Sequence, residues 1–183
     1  PLSQFGHVLD LPGRRADADD RSERQAQRAR VDLRAVAGDG SVLLQALRTL
    51  PDDVYENGVQ LEISRSSREK PSLKRTTFIN ETTLERKRIG GEIFELLLTD
   101  KGRILEGMTS NFFYVREGML CTAGRGVLIG VTRQTIITLA KREGMKFCIR
   151  ALRVNELPSI SEAFITSSSR GIVPVVGIDA RHL

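Results

Sequence analysis

The chain has 183 residues, 40% of them hydrophobic and 28% charged, with a formal net charge of +5. That suits one domain of ordinary size, with or without a small appendage. No run of about eighteen apolar residues exists, which argues against a helical membrane span. With two tyrosines, no tryptophan and no aromatic–basic interleaving, the basic excess does not suggest nucleic acid, and fits a phosphate- or carboxylate-bearing small molecule or a protein partner better.

Residues 1–40 form a charged N-terminal arm, and Pro1 to Asp10 lacks the basic-then-apolar order of a secretory leader. Gly13 to Arg30 is almost free of large apolar groups, so it reads either as a surface helix with i,i+4 charge pairs or as a mobile segment. Ser41 to Leu50 fits a short amphipathic helix or a strand equally well. Pro51-Asp52-Asp53 reads as a turn, and Val59 to Ile63 alternates like a half-buried strand. A helical pattern runs from about Thr76 to Arg88 and ends at Gly90-Gly91.

Strands are predicted over Ile93–Leu98, Arg103–Glu106, Asn111–Val115 and Met119–Thr122. Hairpin turns at Asp100-Lys101-Gly102 and Glu117-Gly118 separate them. A loop over Gly124–Gly130 leads to a helix from Thr132 to Glu143, with Thr132 near its N-cap and Gly144 past its end. Further strands follow at Lys146–Leu152, Ala163–Thr166 and Ile172–Ile178, with a helical turn from Val154 and a polar loop over Ser167–Gly171. The fold class is α+β with a mostly antiparallel sheet. Cys121 and Cys148 stand far apart and in no metal-ligand spacing. Both read as buried small hydrophobes in a reducing compartment, without a disulfide.

Three local features carry chemistry. A helix opens at Thr132 after Leu128-Ile129-Gly130-Val131, and a helix N-terminus offers N–H groups and a positive dipole end to an anion. Thr166-Ser-Ser-Ser169 is a hydroxyl-rich loop able to complete a phosphate cup. Glu106 ends a strand, where its carboxylate can face a cleft. Singly, each has a plainer reading as a cap, a turn or a solvated charge. Together they imply a phosphate site.

Three runs then resemble one family. Ile104-Leu-Glu-Gly-Met-Thr-Ser-Asn-Phe-Phe-Tyr-Val115, Val127-Leu-Ile-Gly-Val-Thr-Arg133 and Glu162-Ala-Phe-Ile-Thr-Ser-Ser-Ser-Arg-Gly-Ile-Val-Pro-Val175 are similar, in order and spacing, to the signatures of class IV aminotransferases. These are fold-type IV enzymes of pyridoxal 5'-phosphate (PLP). They include branched-chain and D-amino-acid aminotransferases and aminodeoxychorismate lyases. The resemblance covers about residues 59–179. It implies the PLP-binding C-terminal domain of that fold over 76–183, a mixed, mostly antiparallel pseudo-barrel with flanking helices. Residues 41–75 would be a remnant of the small domain and the linker.

The resemblance also implies roles. Lys74 would form the Schiff base with PLP and move the α-proton, with Lys70 as the alternative lysine. Glu106 would hold the pyridine nitrogen protonated, and Leu128 would pack on the ring. Val131, Thr132, Ser167 and Ser168 would hold the phosphate. No metal is implied. The expected activity is amino transfer between an amino acid and a 2-oxo acid, with a lyase reaction as the alternative.

Against the family pattern the chain is short at both ends, lacks an H-x-x-R-L motif and has Thr77 and Phe78 after the lysine. The sequence is then a fragment of a longer enzyme, or a partner protein supplies the missing small domain, or the chain is a catalytically inactive class IV-like subunit; the resemblance also implies a homodimer. The expected location is the cytoplasm, or an organelle where a targeting segment has been removed.

Overall fold

A computed structural model describes residues 31–35, 42–46, 49–67 and 93–183. Lys70, Lys74, the charged run 14–30 and the helical pattern expected over 76–88 lie outside the described residues. The chain divides into a small unit that ends at Leu50 and a larger one from Pro51 to Leu183.

In the small unit, β1 (Val31–Ala35) and β2 (Val42–Ala46) pair antiparallel, which decides between the two readings of the 41–50 segment in favour of a strand. The larger unit opens with α1 (Asp52–Asn57), where a turn was expected. Pro51 pre-sets the backbone at the N-cap, and Asp52 and Asp53 in the first turn complement the positive end of the helix.

The strands of the larger unit are β3 (Val59–Ser67), β4 (Ile93–Asp100), β5 (Arg103–Gly107), β6 (Asn111–Arg116), β7 (Met119–Thr122), β8 (Phe147–Ile149), β9 (Leu152–Arg153), β10 (Glu162–Ser167), β11 (Gly171–Ile178) and β12 (Arg181–His182). Six of them close on themselves. The hydrogen-bonded path β6–β10–β11–β3–β4–β5 returns to β6 through the pair Glu106–Asn111. The β11–β3 and β3–β4 pairs are parallel and the others in the ring are antiparallel. This is the mixed, barrel-like sheet that the family resemblance implied, within the α+β class read from the residue pattern.

Burial follows from the closure. Glu95 to Leu98 in β4 and Asn111 to Val115 in β6 are buried without alternation, as expected of strands covered on both faces. Phe113 stacks on its cross-strand partner Phe164 at 4.9 Å between ring centroids. At the β4–β5 turn both Lys101 and Gly102 take positive φ, 47° and 71°, the type I′ geometry that matches strand twist.

From β7 the chain crosses through α2 (Val131–Arg142) and returns as β8, parallel to β7. This crossover overturns the cysteine reading: Cys121 and Cys148 are direct cross-strand partners, 4.7 Å apart at Cα, and are joined in a disulfide. Distance in sequence was a poor guide because the helix brings the two strands side by side. The single strand expected over 146–152 is two strands, since β8 pairs with β7 while β9 pairs with β5.

Candidate functional site

Glu106 lies in β5 with only 3% of its surface exposed. A carboxylate so deep requires hydrogen-bond donors. Its Oε2 accepts from the Leu128 N–H at 2.7 Å and from Asn111 Nδ2 at 3.3 Å. Asn111 Nδ2 also donates to the Leu128 carbonyl at 2.7 Å. The carboxylate and the amide therefore grip both sides of one residue in the loop ahead of α2. Glu106 and Asn111 are opposite each other across β5 and β6, and Asn111 is opposite Thr166 of β10. Directly opposed residues share a sheet face, so these three polar side chains form one row. The buried Thr166 Oγ1 has no hydrogen-bond partner among the described residues.

The gripped loop is otherwise open to solvent. Leu128, Ile129 and Val131 are exposed apolar residues, Val131 at 76%. Gly130 is the N-cap of α2, so the helix starts one residue before Thr132, which lies inside its first turn and is half-buried. A Cβ at Gly130 would come within 2.4 Å of Asn111 Oδ1, and glycine allows the loop to approach that closely. No acidic residue occupies the first turn of α2; Arg133 does, buried, with its guanidinium donating to the Ala123 carbonyl at 2.8 Å. Burial lowers the Arg133 pKa, opposed by the nearby negative charge of Glu106. α2 packs against β10, whose last residue is the half-buried Ser167; Ser168 is exposed in the turn that follows.

Of the residues singled out in the sequence, Glu106 and Leu128 are thus joined directly. Val131 and Thr132 follow on the same loop-to-helix junction, and Ser167 and Ser168 end the strand that carries Thr166. Sequence reasoning missed Asn111, although it stands inside the first quoted motif, and missed that Glu95 and Arg170 form an ion pair at 3.1 Å. Glu95 is a charged residue inside the apolar run Ile93–Leu98, which is the available signal that a polar partner exists.

The family model described as "Amino-transferase class IV" matches residues 21–178. The chain belongs to the class IV aminotransferases. It is 35% identical, over 61% of its length, to a protein named putative branched-chain-amino-acid aminotransferase from Methanocaldococcus jannaschii, of which it covers 40%. Its fold is similar to that of 4-amino-4-deoxychorismate lyase from Pseudomonas aeruginosa. There the TM-score is 0.69 at 27% identity, over 78% of this chain and 55% of that one. It is also similar to a T.th. branched-chain amino acid aminotransferase solved with pyridoxamine 5'-phosphate. The TM-score is 0.66 at 26% identity, over 73% of this chain and 46% of that one. The chain spans about half the length of the curated relatives it matches.

Proposed function

We propose that this chain is the cofactor-holding part of a PLP-dependent aminotransferase that moves an amino group between an amino acid and a 2-oxo acid, with Lys74 as the attachment residue. When bound, the cofactor ring accepts the electron pair left on the substrate α-carbon as its proton departs. The carrying observation is the buried Glu106 carboxylate, bonded to the backbone of a loop whose own apolar side chains stay in solvent.

The donor set fits such a ligand. Glu106 would hold a proton on the ring nitrogen, where an anionic carboxylate is the best-matched partner. The exposed Leu128 side chain offers an apolar surface to a ring face. The Val131 N–H, the hydroxyl and N–H of Thr132, and Ser167 and Ser168 would donate to the phosphate at the positive end of α2. The absence of an acidic residue in the first turn of α2 suits an anion there. The Thr166 hydroxyl, which has no hydrogen-bond partner among the described residues and lies in the same row as Asn111, leaves a further polar group for a ligand. The Lys74 amine would take and return the α-proton.

The names of the Methanocaldococcus jannaschii and T.th. relatives support a branched-chain amino acid as donor. A homodimer or a partner protein would complete the substrate side and exclude water. The likeness to 4-amino-4-deoxychorismate lyase favours a second reading, a PLP-dependent lyase. Parallel assays separate the two. Purified protein with PLP, leucine, isoleucine or valine, and 2-oxoglutarate should yield the branched-chain 2-oxo acid. Consumption of 4-amino-4-deoxychorismate without 2-oxo acid formation from the branched-chain donors would favour the lyase, and neither reaction would favour a non-catalytic subunit.

A further inference from the structure

The turn between β10 and β11 contains a bonding pattern that the cofactor reading does not use. Ser167 Oγ accepts from the Arg170 backbone N–H and from Arg170 Nε, both at 3.2 Å. A serine hydroxyl has two acceptor sites and one proton. With both acceptor sites taken by the same arginine, the proton is left to donate outward, which is the polarity that an anion requires.

The arginine is itself held on several sides. Its Nη2 lies 3.1 Å from Glu95 Oε2 and donates to the hydroxyl of Thr109. The guanidinium carbon stands 5.4 Å from the centroid of the Phe94 ring. The Arg170 carbonyl accepts from the Tyr55 hydroxyl at 2.9 Å. Glu95, 2% exposed, also accepts from the Thr109 N–H, the Thr109 hydroxyl and the Ser110 hydroxyl. One ion pair, of a buried Glu95 and a half-buried Arg170, therefore ties the β5–β6 turn, which follows Gly107, to the turn after Ser167.

We propose that Arg170, fixed by Glu95, is a positioning residue that presets the Ser167 hydroxyl as a donor to the cofactor phosphate. The inference rests on the cofactor reading above. Because Glu95 offsets the arginine's charge, the effect is one of hydroxyl polarity and turn geometry rather than of attraction to the anion.

The test is titration of the full chain with PLP and with pyridoxal, which lacks the phosphate, followed by absorbance. Arg170→Met and Arg170→Lys should each weaken PLP binding roughly tenfold, the scale of a lost charge-assisted hydrogen bond. Neither should change the Kd for pyridoxal. Adding Arg170→Met to Ser167→Ala should cost nothing beyond Ser167→Ala alone, since the arginine acts through that hydroxyl. Equal losses for PLP and pyridoxal, additive losses in the double variant, or unchanged PLP affinity in both arginine variants would each overturn the proposal. Should the arginine variants not fold, Glu95→Gln carries the same expectation for PLP against pyridoxal. A wild-type chain that binds no PLP would sink the cofactor reading itself, whereas wild-type binding with unaffected variants sinks only this inference.

Discussion

Glu95 and Glu106 lie on neighbouring strands of the same ring, both almost fully buried, and they serve different ends. Glu95 binds the half-buried Arg170 guanidinium and the hydroxyl and N–H groups of the β5–β6 turn, so its partners belong to two turns of the chain. Glu106 binds the backbone N–H of a loop whose apolar side chains remain exposed. Burial alone says that each carboxylate needs partners. What the partners are attached to separates a brace between two turns from a group placed at the edge of a ligand site.

Substitution should separate the two glutamates further. Glu106→Gln keeps an acceptor for the Leu128 N–H but loses the anion. Turnover by the PLP-loaded protein is expected to fall about 10²–10³-fold, as when a charge-stabilising group is removed from an active site. Its urea midpoint should change little. Glu95→Leu should do the opposite in kind, with stability falling about 1–3 kcal/mol because the Thr109 and Ser110 donors and the half-buried Arg170 lose their acceptor. Urea unfolding followed by circular dichroism measures both; equal destabilisation by the two variants would remove the distinction drawn here.

Smaller effects lie away from the two carboxylates. Reducing the Cys121–Cys148 disulfide, which closes a segment with a sequence separation of 27, should lower stability by about 3.5 kcal/mol in the chain-entropy account. Comparison of urea midpoints with and without reductant checks this. Gly130→Ala should cost about 1–3 kcal/mol through crowding against Asn111 and should weaken PLP binding, read in the same titration as above.

The smallest expected effect concerns pH. Glu156 has a lowered pKa, chiefly because it accepts from the Arg153 N–H, with Arg150 and Arg116 adding to the effect. A carboxylate with a depressed folded-state pKa contributes stability above its unfolded pKa and loses it as pH falls through the folded value. Thermal midpoints of Glu156→Gln should therefore fall less steeply in that acidic window than those of the parent.

Much of the ring was legible in the sequence because β formers alternate with hairpin turns such as Asp100-Lys101-Gly102. The motif spacing also brought Glu106 and Leu128 forward before any contact between them was known. Long-range pairing was not legible. The disulfide depends on the parallel register of β7 and β8, and the Glu95–Arg170 brace joins residues 75 positions apart in sequence. The strand 146–152 was misread because nothing in its residues marks Arg150–Ala151 as the point where the chain changes neighbours. Asn111 was passed over because its value lies in reaching Glu106 and the Leu128 carbonyl at once, which is a property of the closed ring.

Attachment of PLP to Lys74, with the buried Glu106 serving the ring nitrogen, is the proposal on which the rest depends. Absorbance of the purified chain titrated with PLP tests it most directly. A saturable band characteristic of lysine-bound PLP, abolished in Lys74→Ala and retained in Lys70→Ala, is the predicted result. No such band at saturating PLP, or a band that survives Lys74→Ala, would contradict it.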